Sequence, residues 1–147
     1  MTLKDQLNDA MKQAMKARDD LRLSAVRMIR SAIKNREIEQ KAELDDRQVT
    51  EVISTMAKQR RESIRMYREG GRMDLVEREE AELAVLLAFL PTQLSESEIN
   101  DLVARVIAET GAQGAKDMGR VMKAVTPLTA GRADGKVVSE VVKRQLS

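Results

Sequence analysis

From Leu3 to Leu87 the apolar side chains return every three or four residues, the spacing of one helix face rather than of a strand. Leu3, Leu7, Met11, Ala14 and Met15 set the pattern over residues 3–17. Leu23, Val26, Ile29, Ala32 and Ile33 repeat it behind the candidate caps Asp19 and Asp20, toward Lys41. A third stripe is Val49, Val52, Ile53, Met56, Ile64 and Tyr67. Asp45 and Gln48 form a capping box at its start, and Gly70-Gly71 stops it. Leu75, Val76, Leu83, Leu86 and Leu87 mark a fourth helix from Met73 to Phe89.

The core of such helices must be aliphatic, because Tyr67 and Phe89 are the only aromatic rings in the chain. The nine methionines read as flexible core fillers. A charged fraction of 34% suits slender hairpins that expose much surface. Leu90-Pro91 then interrupts the pattern, since proline disfavours helix in the residue before it and has no N–H of its own. Ser95 and Glu98 form a second capping box, for a helix carrying Ile99, Leu102, Val103, Val106 and Ile107 as far as Gly111. A short helix from Asp117 is expected to end near Thr126-Pro127. Asp134 can cap a last one with Val137, Val138, Val141, Val142 and Leu146. The last segment is rich in β-branched residues, but its three-and-four spacing favours helix. The expectation is an all-α protein: an extended four-helix bundle over residues 1–90, then a compact three-helix module over 91–147. Limited proteolysis is expected to cut the link between Phe89 and Ser95.

With no Cys and no His, the chain lacks thiolate chemistry, disulfides, Cys/His zinc sites and imidazole acid–base catalysis. No glycine-rich phosphate loop follows a strand, and no Ser or Thr has an evident base. Glu77, Glu79, Glu80 and Glu82 could hold a hard cation, but they read better as a solvated face pairing with Arg72 and Arg78. No catalytic residue, metal or cofactor is therefore expected. No run of about 18 apolar residues calls for a membrane. The opening Met1-Thr2-Leu3-Lys4-Asp5 has no apolar signal core, which makes the cytosol the default expectation.

The basic residues are more informative. Lys58, Arg61, Arg65, Arg68 and Arg72 recur at steps of three or four and form one stripe, whose bland reading is pairing with Glu62 and Glu69. Residues 112–147 hold seven cations (Lys116, Arg120, Lys123, Arg132, Lys136, Lys143 and Arg144) against Asp117, Asp134 and Glu140, a local balance of +4. Helix starts near Asp117 and Asp134 add N–H groups and positive dipole ends. Gly119, Gly131 and Gly135 would let a backbone approach closely, unless they only make caps and turns. Together these suit the phosphate and ribose surface of a folded RNA, read by shape.

Three motifs in order carry a resemblance over essentially the whole chain. They are Lys58-Gln59-Arg60-Arg61-Glu62-Ser63-Ile64 followed by Tyr67, then Leu90-Pro91-Thr92-Gln93-Leu94-Ser95, then Met118-Gly119-Arg120-Val121-Met122-Lys123 with Gly131-Arg132-Ala133-Asp134-Gly135-Lys136. The chain resembles the YqeY family, whose C-terminal module is similar to the tail domain of the B subunit of the tRNA-dependent amidotransferase. The resemblance implies a tRNA-binding or amidotransferase-associated accessory module, with Lys116, Arg120, Lys123, Arg132 and Lys136 on phosphates. It also brings a family-level description of carbon–nitrogen ligase activity with glutamine as amide donor, for which this chain lacks the kinase-like and amidase parts. The alternative from the residues themselves is a helical scaffold that docks proteins along its N-terminal helices.

Overall fold

The computed structural model describes Met1–Ser147 and is all-α, with seven helices and no strand. It divides into two compact units, Met1–Leu90 and Pro91–Ser147.

The first unit holds α1 (Leu3–Ala17), α2 (Asp20–Gln40), α3 (Asp46–Glu69) and α4 (Met73–Leu87). The expected stripes face one another. Leu7 and Ala10 of α1, Val26, Ile29 and Ile33 of α2, Val49, Val52 and Ile53 of α3, and Leu86 of α4 form one buried aliphatic cluster, with Phe89 and Leu90 packed on it. The Asp45–Gln48 capping box forms as read: the Gln48 amide donates to Asp45 Oδ1 at 2.8 Å and the Asp45 amide to Gln48 Oε1 at 3.1 Å. A further box went unread in the sequence. Thr2 and Asp5 cap α1 reciprocally, both bonds at 3.1 Å.

Glu37 ties three segments of this unit. Its carboxylate accepts from the Lys4 ammonium of α1 and from the Leu44 amide (2.9 Å) in the α2–α3 loop, where Leu44 is itself buried. The Lys4 side chain above all, then the Leu44 amide, holds Glu37 below its ordinary value of 4.5, against the opposing effect of burial. In the unfolded chain Glu37 takes up its proton at that ordinary value, and in the folded chain only at lower pH. Its contribution is therefore complete above pH 4.5 and is lost as pH falls through the folded value. The Glu37→Gln variant is expected to flatten the acid limb of a urea-midpoint-against-pH curve. An unchanged acid limb would show that the contact contributes nothing.

The second unit holds α5 (Glu96–Thr110), a 3-10 turn (Ala115–Asp117), α6 (Met118–Thr129) and α7 (Gly135–Leu146). The Ser95–Glu98 box caps α5 at 3.1 and 3.0 Å. Ile99, Val103, Val106, Val121, Val125, Val138, Val141, Val142 and Leu146 make a separate core. The valine-rich last segment is helical because its spacing places four apolar residues on one buried face. One boundary departs from the sequence reading: α6 does not end near Thr126-Pro127 but carries Pro127 inside its last turn. Pro127 can remove only the bond its own nitrogen would donate to Lys123, at an exposed position. Burial of Val125 and Thr129 keeps the turn on the core, and Thr129 Oγ1 donates back to the Val125 carbonyl at 3.2 Å.

The stretch from Phe89 to Ser95 is also more constrained than expected. Phe89 and Leu90 belong to the first core. Beyond them, Gln93 Nε2 donates to the carbonyls of Pro91 (2.9 Å) and Gly131 (2.8 Å), and the Leu94 amide donates to the Arg132 carbonyl (2.8 Å). Arg132 Nε returns a bond to the Thr92 carbonyl at 3.1 Å. Gly131 sits at φ +73°, a left-handed conformation that favours glycine and turns its carbonyl to this clasp. Replacing Gln93 by Ala is expected to destabilise the C-terminal unit by about 1–2 kcal/mol, because a half-buried carbonyl loses its donor. A urea midpoint by circular dichroism equal to that of the parent would contradict the clasp.

Candidate functional site

The basic residues of the second unit fall into two kinds. Lys116 lies in the 3-10 turn, Lys123 on α6 and Lys136 in the first turn of α7; all three are exposed and none has a carboxylate partner. Arg120 is exposed but pairs with Asp117 across one turn at 3.3 Å. Asp117 in turn accepts from the Gln113 amide at 2.9 Å. That hydrogen bond above all, with Arg120 and Lys116 adding to it, holds Asp117 below its ordinary value of 3.8. Asp117 therefore stays charged and offsets part of the Arg120 charge.

Arg132 is of the other kind. The sequence reading sets it on phosphate; in the fold its side chain is half-buried, and its guanidinium and carbonyl serve the 92–94 clasp. A local sequence reading cannot see this, because the partners lie some forty residues away. The glycines divide the same way. Gly131 is required by its own backbone, whereas Gly119 and Gly135 stand in the first turns of α6 and α7 with open space where a Cβ would go. Packing within the protein does not demand glycine at those two positions, and each costs its helix up to about 1 kcal/mol relative to Ala.

Both helix starts fall where expected. Asp117 makes no side-chain cap on α6, whose entry is the 3-10 turn. Asp134 does cap α7, accepting from the Lys136 amide at 3.0 Å, so one of the expected free N–H groups is already taken.

The basic stripe of the first unit is broken up. α3 ends at Glu69, so Arg72 leaves the stripe, becomes the residue before α4 and pairs with Asp74 at 3.2 Å. Arg68 pairs with Glu80 (2.7 Å) and Arg65 with Glu69 (4.0 Å). Lys58 is exposed and Arg61 half-buried, both without an ion-pair partner.

The acidic cluster is not a uniformly solvated face either. Glu82 is 7% exposed, and it and Glu79 converge on Arg60, at 3.1 and 2.9 Å. Arg78 reaches Glu82 from solvent at 3.6 Å. Arg60 also points a guanidinium nitrogen at Met28 Sδ (3.3 Å) and so links α3 to α4 and α2. Arg60 lies one residue off the basic stripe, on the helix face of the buried Ala57 and Ile64, which turns its charge inward. No group of three or more acidic side chains is arranged to hold a metal ion.

Each of the three motifs singled out in the sequence thus has a visible structural duty, in Arg60, in Gln93 with Gly131 and Arg132, and in the Asp134 cap. The family model described as Yqey-like protein matches residues 4–146. The chain belongs to the YqeY-like family.

Among curated relatives, the mitochondrial altered inheritance of mitochondria protein 41 of Lachancea thermotolerans is 39% identical over 107 residues, 70% of this chain and 57% of the relative. The protein of the same name from Eremothecium gossypii is 34% identical over 103 residues, 69% of this chain and 56% of the relative. That from Pyrenophora tritici-repentis is 33% identical over 139 residues, 92% of this chain and 74% of the relative. The chain thus spans little more than half the length of the first two.

These names overturn the cytosolic default, since a simply cytoplasmic location conflicts with relatives named as mitochondrial. The physical reason is plain. An exposed charged surface and an absence of Cys suit any reducing aqueous compartment, and no helix here is long and apolar enough to cross a membrane. Neither property separates cytosol from an organelle interior.

Proposed function

We propose that this YqeY-like chain is a binding module rather than an enzyme, and that its C-terminal unit grips a folded RNA of the tRNA class through phosphates. The observation that carries the reading is the set Lys116, Lys123 and Lys136: exposed, unpaired, and accompanied by Gly119 and Gly135, which leave their helix surfaces open. Arg120 adds a fourth, partly offset charge. Gly131 and Arg132 support the interface indirectly, by fixing the turn before α7. Aromatic stacking platforms are absent from the unit, which favours backbone contact over base readout.

Titration with labelled bulk tRNA at two salt concentrations tests the proposal. About four phosphate contacts give a log–log slope near −3. If tRNA is held no tighter than an unstructured polyanion at ~150 mM salt, the reading is wrong. Exposed Ile38 and Met66 on the N-terminal helices favour, as a second reading, a protein-docking scaffold. Concentration-dependent sedimentation without RNA would support that one. Glutamine-dependent ammonia release would instead support an amidotransferase activity.

A further inference from the structure

Along α2, Arg27, Arg30 and Lys34 stand at i, i+3 and i+7, so they form a row about 10 Å long on one helix face. With Lys4 and Asn8 of α1 they line an open-topped cleft of about 520 Å³, floored by Leu7 and Ile33. The cleft has one carboxylate, Glu37, which is committed to the Lys4 ammonium and the Leu44 amide. Arg27, Arg30 and Lys34 are exposed, and none has a carboxylate within 4.0 Å. Arg30 rests instead against Met11 Sδ, at 2.8 Å, which leaves its charge uncompensated.

Three unpaired cations in one concavity repel one another and focus a positive potential in it. Nothing in the packing of α1 on α2 needs them there, since the apolar face is complete without them. A row of this length outspans a single phosphate and matches a chain of two or three. Arginine forks take phosphate oxygens bidentately, Asn8 and Ser31 offer neutral hydrogen-bonding groups, and the aliphatic floor suits an organic body. The volume lies in the ordinary range for small-ligand pockets, roughly 300–1,000 Å³. We propose that the α1–α2 cleft binds an organic di- or triphosphate of the nucleotide class, independently of the RNA reading for the other unit.

The test is calorimetric titration of the full chain with ATP and, separately, with inorganic triphosphate. Saturable one-site binding is expected, tighter for ATP than for inorganic triphosphate. The double variant Arg27→Gln with Lys34→Gln keeps the aliphatic stems and should weaken ATP binding at least about tenfold, since two charge-assisted contacts are lost. A charge-matched control, Lys16→Gln with Arg22→Gln, lies toward the other end of the α1–α2 hairpin and should leave affinity within about twofold. Absence of saturable heat overturns the proposal, as does equal loss in both variants, which would mark general charge attraction. Equal affinity for ATP and inorganic triphosphate overturns the organic class. Binding of tRNA lost in the cleft variant, without binding of ATP, would make the cleft an RNA contact and likewise overturn it.

Discussion

Replacement of Arg60 by Ala is expected to lower the unfolding free energy by about 3 kcal/mol, because it leaves Glu79 with no counter-charge in a largely dry site and Glu82 with only the solvent-exposed Arg78. Glu79 and Glu82 face Arg60 at 2.9 and 3.1 Å, and their side chains are 15% and 9% exposed. Arg78 cannot substitute, since it reaches only Glu82 and does so from solvent. Such a loss is a large fraction of the 5–15 kcal/mol that usually holds a domain together, and it corresponds to a fall in Tm of roughly 10–20 °C. Arg61→Ala, one residue on and without an ion-pair partner, is expected to stay within about 0.5 kcal/mol. Arg60→Lys should fall between the two, since a point charge cannot serve two carboxylates as a fork does. Thermal melts of the three variants check the ordering. Equal Tm values for Arg60→Ala and Arg61→Ala would show that the network is mere surface charge.

The second large effect concerns RNA. Substituting Lys116, Lys123 and Lys136 together by Ala is expected to weaken tRNA binding well over tenfold at ~150 mM salt and to flatten the salt slope by about two units. The loss should be nearly uniform across RNA sequences, because phosphate contacts position a ligand without reading bases. All three side chains are exposed and unpaired, so the melting curve should hardly move. Arg132→Ala makes an instructive contrast. It should disturb the 92–94 clasp and lower stability first, so any loss of RNA affinity in that variant has to be read beside its melt. The matching pair on the first unit is Arg61→Ala with Arg65→Ala. Loss of binding there, with the lysine variant unaffected, would move the interface to the wrong half of the chain for this proposal.

Adding a side chain at the two open glycines probes the same surface without changing charge. Gly119→Ala and Gly135→Ala are each expected to leave stability equal or raise it by up to about 1 kcal/mol, since the Cβ meets nothing and the helix gains propensity. If RNA approaches the backbone there, affinity should fall while stability rises. Gly131→Ala should do the opposite to stability, because its positive φ strains any side chain.

The sequence by itself determined the all-α class, the two internal capping boxes at Asp45 and Ser95, and the apolar faces that meet in each core. These depend on neighbours within one helical turn, where spacing and hydrogen-bonding chemistry are local. The unread Thr2–Asp5 box was equally local and could have been found by the same rule. Which charges are free is a different matter. Arg60 and Arg132 look like any other cation in the chain, yet one is half-buried among carboxylates of α4 and the other clasps a carbonyl forty positions away. Arg27, Arg30 and Lys34 show the same three-and-four spacing as the stripe on α3, but only the fold sets them beside α1 in one cleft. The free energy of a charge is set by what surrounds it in three dimensions. That is why the tertiary structure, and not the spacing, decided which cations support the protein and which remain available to a partner.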